Sequence, residues 1–429
     1  MQMKNKVKSE KGIMTMYVTI AVVTFTIILV ALFSLAVATR RNQIKTLIKI
    51  KEVYEQDNSK KEQIYMEQNK KIELPSTSDT TPYYPDDTFR KDSSTDLDTG
   101  LVIRDKNKNE YVWIEVPRSL YANSNYNTKT TTADQKPTSS TDYDKIEYCL
   151  HKYTDYYRNG TKYTDTYYSN ATTGLTSAQY TELKQKMLKS VYENGGFWIG
   201  RYEAGITTNR TASGTPTVAP LSKAGTVENP IYPYNYVTCS QAQTLASKLS
   251  TGKSYTSSLM FGVQWDLVLK HIEVKEVAKG TALATIQNAL RTNSKSWGNY
   301  RDATFTLNRG KYLEYKNYVT STVWTPYNET ATNNFVNSNS VKQVQSTDGN
   351  GILLTTGASD VCKKMNIYDF AGNVAEWTLE YSASSIAPCT IRGGSCNPSG
   401  SVCPAPYRNG VWSSSGSDRN YGFRVTLYK

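Results

Sequence analysis

A chain of 429 residues with a net charge of +12 is long enough for one large domain or two or three average ones, so core size is not limiting. Half of that charge sits in residues 1–75, which hold 13 Lys and Arg against 7 Asp and Glu. No run of basic residues interleaved with aromatics marks a nucleic-acid groove, so the pattern argues against nucleic acid as a partner. With only His151 and His271 there is little room for histidine-based catalysis.

Residues 1–12 form a basic leader, read as cytoplasmic, with Lys4, Lys6, Lys8 and Lys11. Ile13 to Ala38 then runs for 26 residues without a charge. That exceeds the roughly 20 residues needed to cross hydrocarbon, and the roughly 7–15 of a secretory apolar region. Residues 13–39 are therefore predicted to be a single transmembrane helix, neither a cleaved signal peptide nor a buried core helix. Arg40, Arg41, Lys45, Lys49 and Lys51 follow the span, so counting positive charge leaves orientation undecided. The long polar remainder, with a mean hydropathy of −0.55 for the whole chain, is placed outside the cell membrane.

Ile44, Leu47, Ile48 and Tyr54 fall near one helical face, extending a stalk over 40–74. Pro75 ends it, and 75–99, with its Ser-Thr-Ser-Asp-Thr-Thr-Pro-Tyr-Tyr-Pro, reads as an extended linker. Residues 100–116 show two apolar alternations around Asp-Lys-Asn-Lys-Asn and predict a β-hairpin. Residues 120–175 are rich in Asn, Thr, Tyr and Asp without periodicity and read as a surface insertion. Thr176 opens a helix with a capping box to Gln179, stopped by Asn194-Gly195-Gly196, and a strand follows over 197–203. Further helices are expected from Ser240 and over 264–272.

From residue 195 several segments resemble, in order, a known family. They are GGFWIGRYEAG (195–205), SQAQTLASKLS (240–250), MFGVQWDLVLKHI (260–272), Ser296-Trp297-Gly298-Asn299, NIYDFAGNVAEW (366–377), IRGGS (391–395) and YGFRV (421–425). The set resembles the formylglycine-generating-enzyme, or sulfatase-modifying-factor, type of C-type lectin fold. The resemblance implies an α+β domain over 100–429, a small antiparallel sheet with a few helices and much ordered loop. The resemblance covers roughly 100–429, interrupted by the insertion at 120–175. In addition, Lys11-Gly12 before the apolar helix resembles a type IV prepilin leader, which implies pilin-like subunits as partners, although Tyr17 stands where that family has Glu.

What the resemblance implies for chemistry is mixed. In the enzymes calcium is held within the motif equivalent to 369–376, so Asp369 and Glu376 would offer carboxylates and Gly372 and Val374 backbone carbonyls, an all-oxygen shell. The alternative is that Asp369 and Glu376 pair with backbone amides or a nearby Arg. The enzymes also bind copper(I) through two cysteines five positions apart, whereas Cys396 and Cys403 are seven apart and Pro398 occupies the first place. Copper, and with it oxidase activity, is not expected; a disulfide or two thiols are. The segment 396–421 is dominated by Ser, Gly, Asn, Tyr, Arg and Trp, a mixture found in antibody paratopes. It also resembles the diversified segment of variable proteins of diversity-generating retroelements. The expected ligand-binding residues are Asn397, Tyr407, Asn409, Trp412, Ser414, Asp418, Asn420 and Tyr421, with an extracellular protein or glycan as ligand. An ordinary surface loop is the competing reading.

Overall fold

The computed structural model describes residues 2–69, 72–129, 134–158, 163–304, 306–316, 319–320, 323–327, 351–412 and 416–429. It divides into two units, Met1–Lys71 and Ile72–Lys429. The first is a single α-helix, Gln2–Asn69, which takes in the leader, the apolar span and the stalk. Within it Gly12–Val53 is long and apolar enough to cross a membrane. Thr19, Thr24, Thr26 and Thr39 each turn their hydroxyl back to a carbonyl four residues earlier. A hydroxyl satisfied by its own helix leaves nothing polar to desolvate in lipid.

The second unit is mixed α+β. Its larger sheet has six antiparallel strands in the order Arg90–Lys91, Val102–Arg104, Glu110–Glu115, Gly196–Gly200, Val425–Tyr428 and Thr256–Leu259. The hairpin predicted over 100–116 forms its second and third strands, turning through Lys108 at φ +63°. A smaller sheet runs Arg408–Val411, Cys389–Arg392, Ala375–Tyr381 and Tyr421–Phe423, the last pair parallel. Helix Ser177–Asn194 carries the expected Thr176–Gln179 capping box and ends on left-handed Gly195. Helix Cys239–Ser247 starts on Thr238, with a capping box to Gln241, two residues before the sequence placed it. Helix Gly262–Ala278 is longer than expected and buries residues on every side over its first three turns, so it lacks a clean amphipathic stripe.

Two expectations are corrected. Residues 75–99 do not form a linker. Trp113 and Trp198 face each other across the large sheet at 5.0 Å, and each buried indole N–H needs an acceptor. Thr80 Oγ1 accepts from Trp113 at 2.8 Å, and the Tyr83 carbonyl from Trp198 at 2.9 Å. Phe89 adds a buried ring between Tyr111 and Tyr255, so the segment is part of the core. Nor is 120–175 a surface insertion: helix Tyr143–Tyr153 buries Ile146, Cys149 and Leu150, and Tyr157 hydrogen-bonds Glu273. Polar composition hid both segments because Tyr and Thr bury ring and methyl while their hydroxyls find partners.

Phe89→Ala is expected to cost about 3–4 kcal/mol, the usual range for emptying a buried aromatic site. Denaturant unfolding of the full chain in detergent checks this; a loss below about 0.5 kcal/mol would restore the linker reading.

Candidate functional site

The motif at 366–377 folds around a backbone turn that needs two left-handed residues in succession. Gly372 has φ +76°, and a Cβ there would lie 2.2 Å from the Asn299 carbonyl oxygen. Asn373 follows at φ +60° and spends its amide on the surroundings. Its Oδ1 accepts from Asn299 Nδ2 and Leu354 N–H, both at 2.9 Å, while Nδ2 donates to Glu203 Oε1. Trp377 is buried, and its indole donates to the Val237 carbonyl.

Beneath the turn lie three buried carboxylates. Glu376 grips Arg424 through both oxygens, with contacts of 2.7–3.2 Å. Asp369 accepts from Gly357 N–H at 2.8 Å through Oδ2. Its Oδ1 and Glu203 Oε2 have no hydrogen-bond partner among the described residues. Of the calcium ligands expected from the resemblance, Glu376 is thus already committed to a guanidinium and Asp369 to a backbone amide. Gly372 donates its N–H to Gly393, and Val374 is packed in a small apolar cluster with Leu313, Leu353 and Cys396. A hard cation takes six to eight oxygens; among the described residues the carboxylate oxygens here without a hydrogen-bond partner are Asp369 Oδ1 and Glu203 Oε2. Burial pushes the Asp369 carboxyl up to about 7, against the opposing pull of the Gly357 amide and Arg424. Burial, together with the charges of Asp369 and Glu376, pushes Glu203 well above the carboxylate range.

A second buried network supports the segment 396–421. Arg392 donates to Asp266 at 2.6 Å and to Glu380 at 3.0 Å; Arg408 donates to the other oxygens of the same two carboxylates at 2.5 and 3.0 Å. The four side chains close a ring with two positive and two negative charges. All are nearly inaccessible. The tandem glycines of Arg-Gly-Gly-Ser allow a close approach, since a Cβ on Gly394, at φ +74°, would meet the Cys403 carbonyl at 2.4 Å.

On this base the chain from 396 to 421 runs through the edge strand Arg408–Val411. Asn409, Val411, Trp412, Asp418 and Tyr421, with neighbouring glycines and Ser417, line a hollow of about 320 Å³. Four of the expected ligand residues, Asn409, Trp412, Asp418 and Tyr421, therefore come together. Trp412 is 62% exposed. The others serve differently. Asn397 Nδ2 donates to Asn420 Oδ1, and Asp418 Oδ1 receives the N–H and the amide of Asn420, so Asn397 and Asn420 tie the two ends of the segment together. Tyr407 is half-buried beside the Cys403 thiol, with burial pushing its phenol up to about 12. Ser414 lies outside the described residues. No disulfide joins Cys396 and Cys403; all six cysteines are buried thiols.

The residues that sequence reasoning missed are the buried charges: Glu203, Asp266, Glu380, Arg408 and the partners Arg392 and Arg424. A signal was present, for Arg392 and Arg424 stand in otherwise apolar strand segments, where a charge must have a partner. No family model matches the chain, and no curated protein matches it.

Two measurements follow. Arg408→Ala leaves Asp266 and Glu380 buried without their second cation and is expected to cost about 3–5 kcal/mol. Thermal unfolding of the full chain tests it, and a loss under about 1 kcal/mol contradicts it. For Asp369 the folded carboxyl binds its proton more tightly than the unfolded one, so its stabilising contribution is complete below about pH 4 and is lost as pH rises through about 7. Asp369→Asn should therefore melt higher than the parent above pH 7, with the gap closing towards pH 4. A gap independent of pH would remove the assignment.

Proposed function

We propose that the chain is a membrane-anchored binding protein that holds a ligand at the hollow formed by 409–412 and 416–421. In this reading the body behind the apolar helix is a C-type lectin-like domain of the formylglycine-generating-enzyme type, displayed outside the cell. The observation that carries it is Trp412: a large indole 62% exposed at the mouth of a 320 Å³ hollow. Folding does not bury this ring, and an exposed Trp supplies contact area at small entropic cost when a ligand covers it. Around it stand Asn409, Asp418 and Tyr421, which offer hydrogen-bond donors and acceptors over a rigid floor. The ring of Asp266, Arg392, Glu380 and Arg408 supplies that rigidity, because buried ion pairs leave little freedom to the strands that carry them.

The test uses the full chain in lipid nanodiscs, applied to a glycan array and to a panel of purified extracellular proteins. For whatever probe binds, Trp412→Ala should weaken affinity about 30-fold, equivalent to about 2 kcal/mol at a central aromatic anchor. Ser417→Ala should change it less than about threefold. The melting temperature of Trp412→Ala should match the parent. Binding undiminished in Trp412→Ala, or a large loss of its stability, means the ring is not the anchor and the hollow is not the site.

A further inference from the structure

We propose that Glu147, His151 and Asp165 form a binding site for a first-row divalent transition ion, with zinc as its natural probe, independent of the hollow at Trp412. One ligand atom from each of the three lies within 4.8 Å of the others. A tetrahedral ion about 2.1 Å from each ligand holds its ligands about 3.4 Å apart, so Glu147 and His151, 3.5 Å apart, are already at that spacing and the third ligand draws in by up to about 1.4 Å. Glu147 and His151 are four residues apart on helix Tyr143–Tyr153 and share a face, with Oε1 and Nε2 3.5 Å apart. Asp165 comes from beyond a further short helix, Asp155–Arg158, and is 4% exposed. Both its oxygens take N–H groups at the start of helix Gly262–Ala278, from Gly262 at 2.7 Å and Val263 at 2.9 Å. Each oxygen keeps a second lone pair.

Three features point to a cation of this class. The imidazole selects zinc and its neighbours over calcium, which prefers oxygen alone. Glu147 and Asp165 line a cavity of about 310 Å³ that gives an ion and its waters access. Among the described residues His151 Nδ1 is buried without a hydrogen-bond partner, so the ring is steered by what Nε2 faces. A cation already competes there: Lys184 Nζ donates to Glu147 Oε2 at 2.9 Å and to the Asp165 carbonyl at 3.0 Å. The site thus has a defined rival. All three ligands belong to the stretch between 140 and 170, so a bound ion would pin that stretch to itself and, through Asp165, to the core helix.

The experiment is thermal unfolding of the full chain in detergent, stripped with chelator and titrated with zinc or calcium chloride. Zinc should raise the melting temperature with concentration and calcium should not, since only a ligand of the folded state stabilises it. Glu147→Gln and His151→Ala should remove the zinc response. Lys184→Met should shift its midpoint at least tenfold towards lower zinc. X-ray absorption at the zinc edge should report one imidazole and otherwise oxygen ligands. An unchanged melting curve up to millimolar zinc, a response retained in His151→Ala, or sulfur at about 2.3 Å, which would place the ion on the cysteines, overturns the proposal.

Discussion

The closed ring of Asp266, Arg392, Glu380 and Arg408 is the constraint on which the rest of the second unit depends. Four charges removed from water are tolerable only if every one is paired, and each of these makes two ion-pair contacts of 2.5–3.0 Å. The four residues come from helix Gly262–Ala278 and from three strands of the small sheet, so one electrostatic closure fixes the helix and sheet against each other. Removing any member strands at least one buried partner. Trp265 covers the ring, its indole 5.4 Å from the Arg392 guanidinium, stacked on Phe370 at 3.9 Å and donating to the Ala405 carbonyl. The loop after Gly394 is thereby anchored at Ala405 and again at Arg408.

That arrangement explains why one stretch of chain combines rigidity with exposure. Up to Arg408 most side chains are committed inward or to one another, with Ser401 and Val402 the exposed exceptions; beyond it Asn409 and Trp412 turn to solvent. The Asn397–Asn420 contact closes the segment at its other end. The same logic of obligatory partners shapes the first part of the unit. Two indoles buried edge to face require two acceptors, and the chain from 72 to 99 supplies them. Polar groups specify where that segment lies, and Phe89 supplies the burial that holds it there.

Local patterns were legible in the sequence, and long-range electrostatic ones were not. The hairpin at 102–115, the Thr176–Gln179 capping box and the Gly372-Asn373 turn each follow from a few adjacent residues whose chemistry dictates backbone shape. The hollow was half legible: aromatic and small polar composition pointed to Asn409, Trp412, Asp418 and Tyr421, but composition cannot separate a residue that faces outward from one, like Asn420, consumed by its neighbour. Asp266 and Arg408 are 142 positions apart, and nothing local announces that they meet. Glu376 shows the same limit: its partner Arg424 lies between strands Tyr421–Phe423 and Val425–Tyr428, and the motif alone left both a calcium ion and a guanidinium open.

The placement of strand Val425–Tyr428 has a consequence for how this protein is made. It lies inside the large sheet, hydrogen-bonded on one side to Gly196–Gly200 and on the other to Thr256–Leu259. Until it arrives, Gly196–Gly200 and Thr256–Leu259 have no shared neighbour, and each presents an open strand edge of the kind that pairs with other chains. Closure therefore joins partners more than 160 residues apart, a slow step governed by topology more than by stability. Synthesis must keep the unfinished body from its own kind through that interval, which makes this the stage at which a chaperone has the most to do.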